Sequence, residues 1–263
     1  VDDSHVSSLA VLFEGDSSEL IERARKLGDR LGVPVVEDNG GEFELLLAVT
    51  PERLELRQPG ERVRPVFVDF NSGEFARRVR GSGRRSLIAR AIGLKGQPPR
   101  VVDATAGLGR DAMVLALLGC EVTAVERDGV VFALLEDGLR RAVFDEALSK
   151  VVGRLQLVHA DGAEYLERVG VNPDVVFLDP MFSRRNRSAL PSRELQALAR
   201  LVGYGETEQA ESLLRVAFRS GARRVVVKRA DDGAMLAVRD AREADVQFEG
   251  RTVRFDVYLR PPQ

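Results

Sequence analysis

The chain is poor in the residues that build the commonest covalent and metal-bound sites. Its 263 residues include one cysteine, Cys120, and two histidines, His5 and His159. A single cysteine excludes an internal disulfide framework and fits a reducing cytoplasm. Cys120 also closes the apolar stretch MVLALLGC, so a small buried hydrophobe is expected there rather than a nucleophile. So few thiol and imidazole groups argue against a structural zinc and against a Ser-His-Asp centre, and no metal is expected. Long apolar runs are missing too. None approaches the ~18 residues of a membrane span, and no charged-then-apolar leader opens the sequence. The expectation is a cytoplasmic protein with no membrane partner; nothing in the sequence signals an oligomeric state.

What is present is an ordinary globular composition, 44% hydrophobic and 30% charged, long enough for one large domain with an appendage. The net charge of −2 conceals an uneven distribution. Between 74 and 100 stand Arg77, Arg78, Arg80, Arg84, Arg85, Arg90, Lys95 and Arg100 against Glu74 alone, a local +7 that leaves −9 for the rest. A basic block on an acidic body suggests a localised anionic partner, although a solvated arginine-rich face would look the same.

Organisation follows from punctuation and periodicity. Residues 1–70 read as a small α+β domain. SLAVLFE is a strand candidate, and DSSELIERARKLGDRLG is an amphipathic helix with Asp16 and Glu19 at capping-box spacing. PVVED, EFELLLAVT, RLELRQ and PVFVDF follow as short strands. Residues 71–99 form the basic entry segment, and Gly96 to Pro99 mark the clearest boundary. From 100 to 263 strands and helices alternate, which predicts an α/β domain with a doubly wound parallel sheet. The expected elements are strand 100–104, helix 109–118, strand 121–126, helix 129–141, strand 154–159, helix 162–168 and strand 174–179. A helical region over about 192–219, strand 223–229 and a closing antiparallel hairpin in DVQFEGRTVRFDVYLR complete the domain.

The chemistry gathers at the strand ends. VVDATAGLGRDA runs from a strand ending in Asp103 through Gly107 and Gly109 into a helix, a design that brings backbone close to a ligand. A P-loop is excluded because no Lys-Ser or Lys-Thr follows the glycines. A dinucleotide site or a purely structural turn stays open on this motif alone. Glu126 ends the next strand, where an acid accepts hydrogen bonds from ribose hydroxyls in NAD and S-adenosylmethionine sites alike. Asp161 follows the third strand; it could receive an adenine amino group or serve as a helix N-cap. The fourth strand decides between cofactors. VVFLDPMF places Asp179, Pro180 and Phe182 where a cofactor's reactive end projects. Methylation of an exocyclic amine needs an oxygen acceptor for the NH2, a rigid carbonyl beside it and an aromatic face that stacks the base, worth ~1–3 kcal/mol. Asp179, Pro180 and Phe182 supply that set, whereas a hydride-transfer site would want a His, Lys or Tyr donor. With the terminal hairpin, this points to a class I, Rossmann-like S-adenosylmethionine-dependent methyltransferase.

Together VVDATAGLGRDA, VERDGVVFALLEDGLRRA, LQLVHA, FLDPMF with RSAL after it, RRVVVKR and RFDVYL resemble the ribosomal RNA small subunit methyltransferase J family, from about Val68 to Tyr258. The resemblance implies transfer of a methyl group to the exocyclic N2 of a guanine in 16S ribosomal RNA, with the RNA or the small ribosomal subunit as partner. Carried over by position, cofactor contacts fall on Arg110, Asp111, Glu126, Arg127, Asp161, Gly162 and Asp179. This chain departs from the pattern where Asp161 and Gly162 stand in place of serines and Ser183 in place of a proline. Arg77, Arg78, Arg84 and Arg85 are the expected phosphate contacts, with Arg184, Arg185 and Arg187 beyond Phe182. The alternatives are an amino-methyltransferase acting on another base (adenine, in DNA or tRNA) and a non-catalytic nucleic-acid binder of the same fold.

Overall fold

The computed structural model describes residues 8–38, 41–60, 64–80, 82–168, 170–180, 207–230 and 243–260. They fall into two compact units. One takes the described residues up to 69 together with 128–138; the other takes those of 70–127, 139–180 and 207–260.

In the first unit, strands β1 (Leu9–Phe13), β2 (Val35–Val36), β3 (Leu45–Val49) and β4 (Leu54–Arg57) form a sheet in the order β2-β1-β3-β4. β1 runs parallel to β2 and β3, and β4 is antiparallel to β3. Helix α1 (Ser18–Leu31) buries Ala24, Leu27 and Gly28 on one face. Its start differs from the expected capping box. Ser17, not Asp16, is the N-cap, and no side chain caps the helix. PVFVDF also falls short of a strand, contributing a single bridge from Val66 to Leu56. Asp137, 3% exposed, bonds the Leu54 N–H and the Arg23 guanidinium, so its buried charge is paired.

The second unit opens with the basic segment, which forms helices α2 (Gly73–Arg80) and α3 (Leu87–Ala91). β5 (Arg100–Asp103), α4 (Arg110–Leu117), β6 (Glu121–Glu126) and α5 (Gly129–Ala142) follow, the first part of α5 belonging to the first unit. A short helix that periodicity did not reveal, α6 (Ser149–Val152), precedes β7 (Leu155–His159), α7 (Gly162–Glu167) and β8 (Val175–Leu178). After them stand α8 (Thr207–Arg219), β9 (Arg224–Ala230), β10 (Val246–Glu249) and β11 (Val253–Leu259). The sheet order is β10-β11-β9-β8-β5-β6-β7. β5 to β9 are mutually parallel where they pair, while β11 is antiparallel to both β9 and β10. β8 is buried at every residue, as a strand covered on both faces must be. Val102, Val125, Val176, Leu178, Leu214, Ala217, Val225 and Val227 join in one core that holds the strand ends rigid.

Candidate active site

Ligands of doubly wound sheets sit beyond the carboxyl ends of the strands, where the strand order reverses. Here the chain runs from β5 outward to β6 and β7, then returns to β8 on the other side of β5. The crevice therefore opens between the loop after β5 and the residues after β8. Two hydrogen bonds join its sides: Ala104 N–H to the Phe177 carbonyl at 3.0 Å, and Asp179 N–H to Thr105 Oγ1 at 2.6 Å. The loop bends at Gly107 (φ 54°) and Gly109 (φ 72°), left-handed values that a side chain disfavours. Gly109 then serves as N-cap of α4.

Glu126 is no surface acid. It ends β6 at 8% exposure, and its Oε2 accepts the Gly107 N–H at 2.8 Å, so the acid and the glycine loop form one wall. Asp161 does cap a helix: its Oδ1 accepts the N–H groups of Ala163 (2.8 Å) and Glu164 (3.2 Å) at the start of α7. Gly162 beside it is a matter of space. A Cβ there would lie 2.3 Å from the Ala104 carbonyl oxygen, so glycine lets α7 approach the end of β5. Arg110 and Arg127 stand at the rim. Arg110 lies 3.6 Å from Glu74 at an exposed position, and Arg127 donates to Gln209 Oε1 at 3.1 Å.

The centre is a charge cluster. Lys228 Nζ bonds Asp111 Oδ2 at 2.5 Å and Asp179 Oδ2 at 2.6 Å. Burial pulls the Lys228 ammonium down, but the charges and hydrogen bonds of Asp179 and Asp111 together hold its pKa above the ordinary lysine value. Asp103, 1% exposed, accepts the Thr105 N–H at 3.2 Å. Burial first, then the neighbouring Asp111, pushes its carboxyl well above the usual carboxylate range. Among the described residues, Lys228 thus stands between two carboxylates, with the carboxyl of Asp103 beside them.

Sequence reasoning missed two members of this cluster. Lys228 and Thr105 lie within RRVVVKR and VVDATAGLGRDA but were given no role there, although a lone lysine in the apolar run of β9 was a usable signal. The structure brings together Asp103, Gly107, Gly109, Asp111, Glu126, Asp161, Gly162 and Asp179 around the strand ends, with Arg110 and Arg127 outside them and half-buried Pro180 following Asp179. Phe182, Arg184, Arg185 and Arg187 lie outside the described residues, and only the backbone of Arg78 is described. Arg77, Arg84 and Arg85 are exposed; Arg84 also donates to the Gly96 carbonyl at 3.2 Å. Among the described residues, no group of His, Cys, Asp and Glu is placed to hold a metal ion. No described helix is long and apolar enough to cross a membrane.

A parallel doubly wound sheet closed by an antiparallel strand pair, with an acid ending β6 and Asp-Pro after β8, defines a class I S-adenosylmethionine-dependent methyltransferase. The model of the family described as "Putative SAM-dependent methyltransferase" matches residues 26–260. A Nitrosococcus oceani protein named ribosomal RNA small subunit methyltransferase J is 44% identical over 250 residues, 93% of this chain and 96% of its own. A Coxiella burnetii protein of the same name is 42% identical over 245 residues, 92% of this chain and 94% of its own. Among solved structures, a SAM-dependent methyltransferase from Neisseria gonorrhoeae superposes with a TM-score of 0.74 at 33% identity, covering 95% of each chain. This chain belongs to the ribosomal RNA small subunit methyltransferase J family.

Proposed function

We propose that this protein transfers a methyl group from S-adenosylmethionine to the exocyclic N2 amine of a guanine in 16S ribosomal RNA, in the cytoplasm. The observation that carries the proposal is the placement of Asp179 at the switch point, held by Lys228 through its side chain and by Thr105 through its backbone. The names of the relatives support ribosomal RNA of the small subunit as substrate, and the family resemblance supports guanine N2 as the acceptor.

The residues fit the cofactor. Glu126, closed against the loop through Gly107, offers its carboxylate to the ribose hydroxyls. Gly162 keeps α7 close enough for Asp161 to face the adenine end. Asp111 and its neighbours supply the negative surround that a ligand carrying ammonium and sulfonium charges requires. When bound, S-adenosylmethionine supplies an electrophilic methyl group. Everything else falls to the chain. The N2 lone pair of guanine is delocalised into its ring, so the nitrogen is a poor nucleophile. Asp179 accepts an N2 hydrogen bond, which orients the lone pair and strengthens as positive charge develops on nitrogen. A carboxylate has about four lone-pair sites, so one bond to Lys228 does not exhaust it. The proton leaves N2 to Asp179 or to water; Lys228, protonated throughout, is no acceptor. Pro180 offers its carbonyl as the second acceptor and Phe182 stacks the base.

The RNA approaches over the basic segment. Arg110 reaches Glu74 of α2, and Arg77 stands one turn further along that helix, at the same rim as the glycine loop. Arg84 and Arg85 extend this surface, and Arg184, Arg185 and Arg187 are further candidates for phosphate contact.

The test is tritium transfer from labelled S-adenosylmethionine to small-subunit RNA from a strain lacking the gene. Label should appear in N2-methylguanosine after digestion; label in adenine would overturn the choice of base. In single-turnover assays Asp179→Asn should be ~10²–10³ slower, the usual cost of a lost preorganised electrostatic partner, with cofactor and RNA still bound. A wild-type rate would remove Asp179 from catalysis.

A further inference from the structure

We propose that Lys228 is a positioning residue for methyl transfer, fixing Asp179 against Asp111 through a two-carboxylate ion pair. The inference rests on the reading of Asp179 given above and adds the residue that governs it.

The pairing of β8 with β9 brings the two together. Leu178 is in register with Val227, so the next residues, Asp179 and Lys228, stand side by side at the carboxyl edge of adjacent parallel strands. Asp111 comes from the first turn of α4, directly after the glycine loop. Lys228 thus ties the residue assigned to the substrate amine to the helix that follows the cofactor loop, with bonds of 2.6 and 2.5 Å. The side chain of Asp179 is 39% exposed, whereas those of Lys228 and Asp111 are 16% and 11% exposed. The clamp is set back from solvent and its working end faces outward.

Two physical facts argue for a role beyond stability. Placing a lysine in a strand whose preceding residues, Val225, Val226 and Val227, are almost wholly buried is costly, and ion pairs in such places often add nothing over an apolar side chain of similar volume. A lysine kept only for the fold is therefore replaceable by methionine. Orientation gives a second reason. A carboxylate after a strand end turns about its side-chain bonds, and each alternative rotamer would remove the acceptor from the amine. A bond to an ammonium that is itself fixed on a central strand selects one rotamer. Among the described residues, the titratable groups around the clamp are Asp103 from β5, Asp111 from α4 and Asp179 after β8. Removing Lys228 takes away the ammonium that Asp111 and Asp179 share, so the group takes up a proton at a higher pH.

The experiment uses full-length protein with small-subunit RNA, measuring kcat, KM for S-adenosylmethionine and the pH-rate profile of Lys228→Met, Lys228→Gln and Lys228→Arg. In a folded neutral variant, Met or Gln, kcat should fall about tenfold or more, a larger change than that in KM. The acid limb should move up by about one pH unit, as expected when a cation within ~4–6 Å of a carboxylate is removed. Lys228→Arg should return the limb to its wild-type position. A folded neutral variant with wild-type kcat and limb overturns the proposal. So does a limb still displaced in Lys228→Arg, which decides the matter should neither neutral variant fold. An Asp179→Asn enzyme at full speed removes the assignment of Asp179; a slow Asp179→Asn beside a fully active Lys228→Met removes Lys228 alone.

Discussion

Glu126 is bound to the loop it is expected to serve, and two substitutions separate its roles. Its Oε2 accepts the Gly107 N–H at 2.8 Å, and the residue is only 8% exposed. Glu126→Ala strips that donor of its acceptor, and an unsatisfied buried group costs ~1–3 kcal/mol. For a protein of this size each kcal/mol is roughly 2–4 °C of melting temperature, so a fall of about 2–12 °C is expected without ligand. Glu126→Gln keeps an amide oxygen for Gly107 and should melt nearer to the wild type. Binding follows a different order. Both variants lose the charge that accepts the ribose hydroxyls, and hydrogen bonds to charged groups contribute about 1.5–3 kcal/mol. At 1.4 kcal/mol per decade, S-adenosylmethionine affinity should drop ~10-fold to 100-fold in each. Scanning fluorimetry of the free protein and titration calorimetry with the cofactor measure the two effects separately. Wild-type affinity in Glu126→Gln would refute the ribose assignment, and tight binding of NAD would refute the choice of cofactor. An unchanged melting temperature in Glu126→Ala would refute the loop anchor.

Two further outcomes are expected. Removing the charges of Arg84 and Arg85 should flatten the dependence of log RNA affinity on log salt by about 0.7 for each lost phosphate contact, leaving cofactor affinity intact in calorimetry; an unchanged slope would return both to a solvated face. Asp103→Asn should raise thermal stability at neutral pH, with the gain vanishing at acid pH. Its carboxyl titrates higher folded than unfolded, so the stability associated with its proton is complete below the unfolded value and is lost as pH rises through the folded one. Equal melting curves of the two proteins at neutral pH would refute this.

The order of elements in the larger unit was legible because a covered parallel sheet writes itself as β-branched runs separated by helical periods. RVVD, EVTAVE, LQLVH and VVFL each became a strand within a residue or so of its expected bounds. The failures have local causes. Asp16 and Glu19 had the spacing of a capping box, but the chain enters α1 one residue later, so Ser17 occupies the cap and the reciprocal bonds do not form. PVFVDF has the composition of a strand yet pairs through Val66 alone, because composition records a preference for extended backbone and says nothing of a partner. Helix α6 is four residues long, too short for a 3.6-residue period to register.

Recognition of the site divided along a similar line. Residues singled out by their neighbours in the chain do stand at the strand ends: the glycines of the loop, the acid ending β6, and the Asp-Pro after β8. Asp161 was ambiguous because the position that follows a strand and precedes a helix suits a cap and a ligand contact alike; its Oδ1 caps α7. Lys228 was missed because its partners lie 117 and 49 residues away, and no spacing rule spans such distances. Its chemistry was visible in principle. An ammonium in a parallel strand must be paired or neutralised, and such a strand places its last residues at the ligand crevice. A lone lysine near the end of an apolar run in an alternating α/β chain therefore predicts carboxylates from neighbouring strand ends before any coordinates exist. In this chain the acids already assigned to the cofactor and the amine were the ones available to meet it.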